Sequence, residues 1–351
     1  MVFLQHISKW FRHFFEAPIS PLPLGIFRIS IAGFTLLQAG LWYPDWALFF
    51  GREGWVQWEI SKAFNKAWNI HLADLYPLFE SWGMTDIQFI YLFFWAYFIA
   101  ALGLLLGWYT RVWAVLCWLC HYVLMSSLPT FVYGVDIFLH ISLFYLVFMP
   151  SEKVMSLDFY LGRTNNIPTW GTTLAIRVLQ IHLCLVYFSA GYEKMLYPNW
   201  WEGDVIWRAV VQPDFNQYNF EWLAQYPWIA VGASLFTMII ETFYFIGMWI
   251  PKLRVVWLAS IIALHVGIGL FIGLNLFGLV MILLSVSAFG YDAWQDILAI
   301  RPKQTSSGLL VKKLISAQNT NLISYTHETI LSKRKHHYFA FSLPNCLPKR
   351  S

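Results

Sequence analysis

The polar residues of greatest chemical interest in this sequence lie inside long apolar stretches. Residues 177–203 hold the densest group, in the segment RVLQIHLCLVYFSAGYEKMLYPNWWEG. The spacing of Gln180, Tyr187, Gly191 and Lys194 places them along one face of a helix. A lysine ammonium that is partly removed from water gives up its proton more readily, so Lys194 could act as a base. Alternatively, its long side chain could simply reach the lipid headgroups.

A carboxylate and a histidine, Asp136 and His140, are four residues apart in another apolar stretch. That spacing puts them one helical turn apart, where they could perform acid–base chemistry or position each other. They could equally be a residue at a helix start and a buried, hydrogen-bonded histidine.

Glu241 and His265 form a second pair of ionisable residues, on two successive apolar stretches. At about 1.5 Å per residue from the turn that joins the stretches, both lie about 14–17 Å deep and could face each other near the membrane midplane. Such a pair could carry protons or bind the headgroup of a quinone-like ligand. The alternative is a structural hydrogen bond that ties two helices together.

These residues need a scaffold inside a membrane, because 58% of the chain is apolar and only 12% is charged. Soluble domains carry about 25% charged residues, so the composition excludes an ordinary soluble enzyme, a disordered chain and a disulfide-stapled secreted module. A transmembrane helix needs about 20 mostly apolar residues. Eight stretches qualify: Leu22–Tyr43, Ile87–Trp108, Val112–Leu128, Tyr133–Met149, Thr172–Lys194, Trp228–Ile250, Val255–Leu274 and Leu276–Tyr291. We therefore expect an all-α, polytopic integral membrane bundle of about eight helices, with a re-entrant hairpin as the alternative for the last two.

The distribution of lysine and arginine predicts the orientation, since basic connections stay on the cytoplasmic side. Alternate connections are basic, and they contain Lys9 and Arg12, Arg111, Lys153 and Arg163, and Lys252 and Arg254. The remaining connections are richer in aspartate and glutamate. A multi-pass cell-membrane protein with both termini in the cytoplasm is expected.

The membrane domain is predicted to span residues 17–291. Before it, residues 1–16 carry apolar side chains at three- to four-residue spacing, which is typical of an amphipathic helix in the membrane interface. After it, residues 292–351 are polar and basic and are predicted to form a weakly ordered cytoplasmic tail. Arg28 and Arg177 lie within two turns of a helix end, so both are expected to reach the headgroup region.

Several kinds of site are not expected. There is no Gly-rich nucleotide loop and no zinc-ligand spacing, so we predict neither a metal site nor nucleic acid as a partner. The four cysteines suggest no disulfide framework, because Cys117, Cys120 and Cys184 lie within apolar spans. The lipid bilayer is the one partner that the composition itself predicts.

Residues 179–203, LQIHLCLVYFSAGYEKMLYPNWWEG, resemble the signature of the HTTM domain. This domain is the membrane half of vitamin K-dependent γ-carboxylases and their bacterial relatives. Weaker similarities are PLGIFRISIAGFTLL, FFGREGW, YGVDIFLHISLFYLVFMP and ALHVGIGLFIGLNLFGLVMI, and together they cover roughly residues 15–290 in order.

The resemblance implies a chemical role for the A-G-x-x-K lysine, which is Lys194 here. In the carboxylases this lysine is the proposed base that deprotonates reduced vitamin K; oxygen then converts the cofactor into a strong base for glutamate carboxylation. It implies a site at the outer membrane face with a quinol as cofactor, and we assign Lys194, Asp136 and His140 as its catalytic residues. We assign cofactor binding to a further set of residues: Gln180, Tyr187, Trp200, Trp201, Glu241 and His265.

This chain departs from the carboxylases in two respects. Val135 or Asp136 stands where they have a histidine, and the large extramembrane half that binds the substrate's propeptide is replaced by a basic tail of 60 residues. Other short members resemble a membrane protein that helps to mature a sporulation-delaying toxin peptide. The alternative function is therefore non-catalytic maturation, export or immunity of a small secreted peptide, and the partner is expected to be such a peptide or a redox protein.

Overall fold

A computed structural model describes residue 9 and residues 11–66, 68–212 and 218–300. Within these residues the regular elements are all helical, which confirms the all-α prediction. Eight of the described helices have 15 or more residues: α1 Leu22–Trp42, α2 Asp86–Leu106, α3 Thr110–Ser127, α4 Gly134–Phe148, α5 Trp170–Met195, α6 Pro227–Thr242, α7 Pro251–Ile272 and α8 Asn275–Ile300. Short helices fill the two long connections, residues 43–85 and 196–226.

Five helical segments of the described residues are long and apolar enough to cross a membrane. They are α1 with its continuation to Phe50, α2, α5, α7 and most of α8. The helices α4 and α6 are apolar but shorter, and α3 is not among the five. The chain is therefore a multi-pass membrane protein, while the total of eight crossings stays a prediction. Both α7 and α8 are full-length, so neither has the shortness expected of a re-entrant hairpin.

Two boundaries differ from the sequence prediction. The predicted span Trp228–Ile250 is interrupted, because α6 ends at Thr242 and a separate short helix, Tyr244–Trp249, follows it. The last predicted span, Leu276–Tyr291, is shorter than α8, which extends from Asn275 to Ile300. Residues 301–351 and most of the predicted segment 1–16 lie outside the described residues, although residues 11–16 are helical.

Helix ends follow from local side chains. Thr85 and Gln88 form a capping box at the start of α2, in which each side chain bonds the other residue's backbone N–H. Gly107 and Gly273 end α2 and α7 in the left-handed conformation, which glycine adopts without strain. These signals keep α2 apart from α3, and α7 apart from α8, with almost no linker.

Successive helices pack as neighbours: α1 on α2, α2 on α3, α3 on α4, and α5 on α6. The helices α1–α4 meet the helices α5–α8 where α1 contacts α5. The connection 43–85 is fastened to the end of α3, since Ser61 donates to the Ser127 carbonyl and the Leu72 amide donates to the Ser127 hydroxyl. The connection 43–85 therefore lies at the end of α3 that holds Ser127. The connection 196–226 follows directly after Met195, the last residue of α5.

The prediction that Arg28 reaches the headgroup region is wrong. Its side chain is fully buried in α1 and donates to the carbonyls of Leu104 and Leu105 at the end of α2 and of Ser151 and Met155 beyond α4. The last carbonyls of a helix lack partners within the helix and carry partial negative charge, so a guanidinium satisfies them well.

Candidate functional site

The centre of the candidate site is an ion pair between two helices. Lys194, in the last turn of α5, places its Nζ 2.7 Å from Oε2 of Glu241 in α6. The side chains are 22% and 8% exposed, respectively, so the pair is largely withdrawn from solvent. The ammonium also lies 5.2 Å from the ring centre of Trp200, which is close enough for a cation–π interaction.

The ion pair borders a cavity of about 410 Å³, which we call the Lys194 cavity. Its polar lining includes Lys194, Glu241, Tyr187 and His265, and most of its other lining residues are apolar. The apolar walls come from α4, α5, α7, α8 and the helix Asp204–Val211. A cavity with a few convergent polar groups in apolar walls is typical of a small-molecule site.

The break after α6 lies directly beside this ion pair. Glu241 is the penultimate residue of α6, and the next helix begins only at Tyr244. Interrupted helices inside a membrane protein are tolerated where they are buried or line a cavity, and they often mark binding sites. The break thus accords with a binding role for this cavity.

Gly191 allows α5 and α6 to approach at the level of Glu241. A Cβ atom on Gly191 would lie 2.9 Å from the Glu241 carbonyl carbon and closer still to the Thr242 amide. The absence of a side chain at Gly191 therefore permits the close approach of α6, and this approach brings Glu241 within reach of Lys194.

His265 presents an acceptor to the cavity. Its Nδ1 lies 2.9 Å from the Ile261 carbonyl, which can only accept, so Nδ1 carries the hydrogen and Nε2 is left as an acceptor. Tyr187 packs edge-on against the His265 ring and stacks on Tyr244, with 4.2 Å between the two tyrosine ring centres. The Tyr187 hydroxyl lies 3.3 Å from the Ser285 hydroxyl of α8, which holds the ring in place.

The structure thus brings five of the predicted residues to one cavity: Lys194, Tyr187, Trp200, Glu241 and His265. Glu241 was expected to face His265, whereas the residue in ion-pair contact with it is Lys194. The sequence alone did not reveal this because the pairing depends on how α5 packs between the other helices.

Two predicted residues lie elsewhere. Gln180 is 14 residues before Lys194 on α5, and it donates to the Ala288 carbonyl and to Asp292 while accepting from Arg177. Trp201 is half-exposed, and its indole N–H donates to the Met195 carbonyl. Neither residue lines the Lys194 cavity.

Asp136 and His140 also lie away from the Lys194 cavity. Phe138 lines that cavity, and residues two positions away on a helix point about 200° around its axis. Asp136 instead caps α4 through the Tyr133 amide and accepts from Gln38 of α1. His140 accepts a hydrogen bond from Trp118 of α3.

Sequence reasoning did not select three residues that the structure makes prominent. Thr237 lines the Lys194 cavity, one turn before Glu241 on α6. His121 and Gln38 are fully buried around Asp136. His121 had a usable signal, because an ionisable residue within an apolar span needs an explanation.

The arrangement is suited to proton chemistry on a bound organic molecule. Within the described residues there is no group of three or more His, Cys, Asp or Glu side chains that could hold a metal ion. The Lys194 cavity offers an ammonium–carboxylate pair, a histidine acceptor and aromatic faces. These groups can bind a ring with a hydroxyl group and move its proton.

A family model, the HTTM domain, matches residues 54–294 and so covers more than half of the chain. The matched region begins in the connection after α1 and contains α2 to α7 and most of α8. Neither a search of curated proteins nor a search of solved structures finds a match.

Proposed function

Since the chain belongs to the HTTM-domain family, we propose that it is a membrane enzyme in which Lys194 removes a proton from a quinol. The reaction is coupled to the modification of an exported substrate, at the outer face of the membrane. A carboxylase-like (lyase) activity is the form that the resemblance to the γ-carboxylases suggests.

The observation that carries this proposal is the Lys194–Glu241 pair in an apolar cavity. Nζ and Oε2 are 2.7 Å apart, so a rotation of the two side chains is enough to align them for transfer of a proton from the ammonium to the carboxylate. When a ligand displaces water from the cavity, charged groups become costly and the neutral amine–carboxylic acid pair is favoured. The neutral amine of Lys194 is then the base.

The cavity residues fit a quinol. A volume of about 410 Å³ lies within the range of about 300–1,000 Å³ of ligand pockets. His265 Nε2 accepts a hydrogen bond from a hydroxyl group, while Trp200 and Tyr187 offer aromatic faces to a ring. A bound quinol, such as reduced vitamin K, supplies the acidic hydroxyl and the electrons that oxygen takes up.

Oxygen uptake by the purified full-length protein with a reduced naphthoquinone tests the proposal. We expect quinol-dependent uptake that Lys194→Ala and Glu241→Gln each lower at least about tenfold, since positioned acid–base groups typically contribute 10²–10⁴-fold. Lys62→Ala is the matched control, because it breaks a Lys–Asp pair in the connection 43–85. Equal uptake by wild type and Lys194→Ala would contradict the role of Lys194. Absence of uptake in the wild type would favour the non-catalytic peptide-maturation alternative.

A further inference from the structure

A second cavity, which we call the His121 cavity, lies on the opposite side of α4 from the Lys194 cavity. It has a volume of about 160 Å³ and is bordered by α1, α3, α4 and the connections beside them. Trp42, Phe50 and Phe131 supply aromatic walls, and His121, Tyr133 and Asp136 are its ionisable lining residues. A dry protein cavity of roughly 150 Å³ is known to hold one benzene molecule.

A chain of three rings determines which nitrogen of His121 carries its hydrogen. The indole Nε1–H of Trp118 can only donate, and it lies 3.1 Å from Nε2 of His140. Nε2 of His140 is therefore the acceptor, and its hydrogen is on Nδ1. That Nδ1 faces Nδ1 of His121 at 3.4 Å, so His140 donates and His121 accepts. The remaining hydrogen of the neutral His121 is then on Nε2.

The Nε2–H of His121 lacks a hydrogen-bond partner among the described residues, although the side chain is fully buried. A buried donor without a partner destabilises the empty cavity, so a ligand that supplies an acceptor binds more tightly than one that offers only apolar contact. The cavity lining includes the carboxyl group of Asp136 and no lysine or arginine, so it holds no group that attracts a negative charge. The ligand is therefore not an anion.

From these contacts we propose that the His121 cavity binds an uncharged, single-ring aromatic molecule with a hydrogen-bond-accepting oxygen, of the size of phenol. The ring packs against Trp42, Phe50 and Phe131. The oxygen accepts from Nε2 of His121. This site is separate from the Lys194 cavity and does not depend on the function proposed for Lys194.

Two ligands that differ only in a hydroxyl group, 4-fluorophenol and fluorobenzene, test the proposal by ¹⁹F NMR titration of the full chain in detergent. Wild type is expected to bind 4-fluorophenol about tenfold more tightly, after correction for the partition of each ligand into empty micelles. His121→Leu is expected to abolish the preference and to keep fluorobenzene binding, whereas Lys194→Ala is expected to leave the preference unchanged. Equal affinity in the wild type, an unchanged preference in His121→Leu, or loss of the preference in Lys194→Ala overturns the proposal.

Trp118→Phe provides a test that leaves every lining residue in place. Trp118 is a positioning residue, because its donor fixes the hydrogen of His140 and thereby that of His121. In ¹⁵N-histidine-labelled protein, wild type is expected to show a His121 signal with hydrogen on Nε2, identified by its loss in His121→Leu. Trp118→Phe is expected to weaken that signal and the preference for 4-fluorophenol together. A preference that persists while the tautomer changes overturns the role of His121 Nε2–H.

Discussion

The ion pair between Lys194 and Glu241 joins the last turn of α5 to the end of α6. Lys194→Met leaves the carboxylate of Glu241 buried beside apolar groups. We expect the free energy of unfolding to fall by about 3 kcal/mol, at the lower end for a broken buried pair because the lysine is partly exposed. Thermal unfolding in detergent, followed by circular dichroism, measures the loss.

The double variant Lys194→Met/Glu241→Leu is the informative companion. Since it removes both charges together, most of the lost stability is expected to return. The exposed pair Lys62–Asp74 serves as the control, and Lys62→Met is expected to cost at most about 1 kcal/mol. A double variant less stable than Lys194→Met would mean that the pair itself stabilises the fold.

His71 lies outside the membrane-spanning helices, and it makes the stability of the fold depend on pH. Burial lowers the pKa of His71 to about 4. Its Nδ1 accepts from the Ala73 amide and its Nε2 bonds Ser61, so protonation of Nδ1 would break a helix cap. In the unfolded chain a histidine has a pKa near 6.5. The stabilising effect of neutral His71 is therefore complete above pH 6.5 and is lost as the pH falls towards 4.

His71→Asn tests this dependence. Asparagine keeps an oxygen that can accept from the Ala73 amide but does not titrate. We expect the melting temperature of the variant to fall less than that of the wild type between pH 6.5 and 4. Parallel curves over this range would contradict the assignment.

Sequence reasoning at the residue scale located unusual side chains better than it paired them. Lys194, Glu241 and His265 could be selected because charged or titratable groups in apolar spans need a partner. Their pairing could not be derived, since it depends on the rotation of α5, α6 and α7 about their axes. The same limit explains why Asp136 was wrongly placed beside Lys194. Asp136 faces Gln38 of α1, and its spacing from His140 in the sequence does not show which side of α4 it occupies.

At the scale of elements, the close approach of α5 and α6 depends on Gly191. Gly191→Ala would place a methyl group against the backbone at Thr242, so we expect a loss of about 2 kcal/mol in unfolding free energy. Gly232→Ala, in α6, is the matched control. A Cβ atom there meets nothing within 4 Å, so the change is expected to be neutral or slightly stabilising. Equal effects of the two substitutions on melting temperature would contradict this packing.

The positions of the helices were predictable because they depend on runs of apolar residues. The interruption of a helix and the burial of a charged side chain inside the protein were not predictable in this way. The break at Phe243 has no proline or glycine to mark it in the sequence. About one turn later, Gly247 of the following short helix packs against the Trp257 ring of α7. Arg28 was expected to reach the headgroups, but its partners are carbonyls of segments more than 70 residues away in the chain. Such partners become visible only once α1, α2 and the segment after α4 are packed together.

For the whole molecule, the number of crossings decides on which side of the membrane the connections 128–133 and 251–254 lie. If all eight helices cross, the connections 43–85, 128–133 and 196–226 share one side, and residues 149–169 and 251–254 share the other. If only the five long helical segments cross, 128–133 and 251–254 exchange sides. The lysines and arginines favour eight crossings, because that arrangement puts Arg163, Lys252 and Arg254 on one side.

Single cysteines in a variant without the four native ones distinguish these arrangements. The exposed positions Ser81, Thr130, Asn166 and Lys252 each receive one cysteine. With eight crossings, we expect a membrane-impermeant maleimide to label Ser81→Cys and Thr130→Cys on intact cells. Asn166→Cys and Lys252→Cys should react only after permeabilisation. Because Ser81 and Asn166 keep their sides in both arrangements, they are the controls. Reversed labelling at Thr130 and Lys252 would establish five crossings, while leaving the connection 196–226 and the adjoining end of the Lys194 cavity on the outer side.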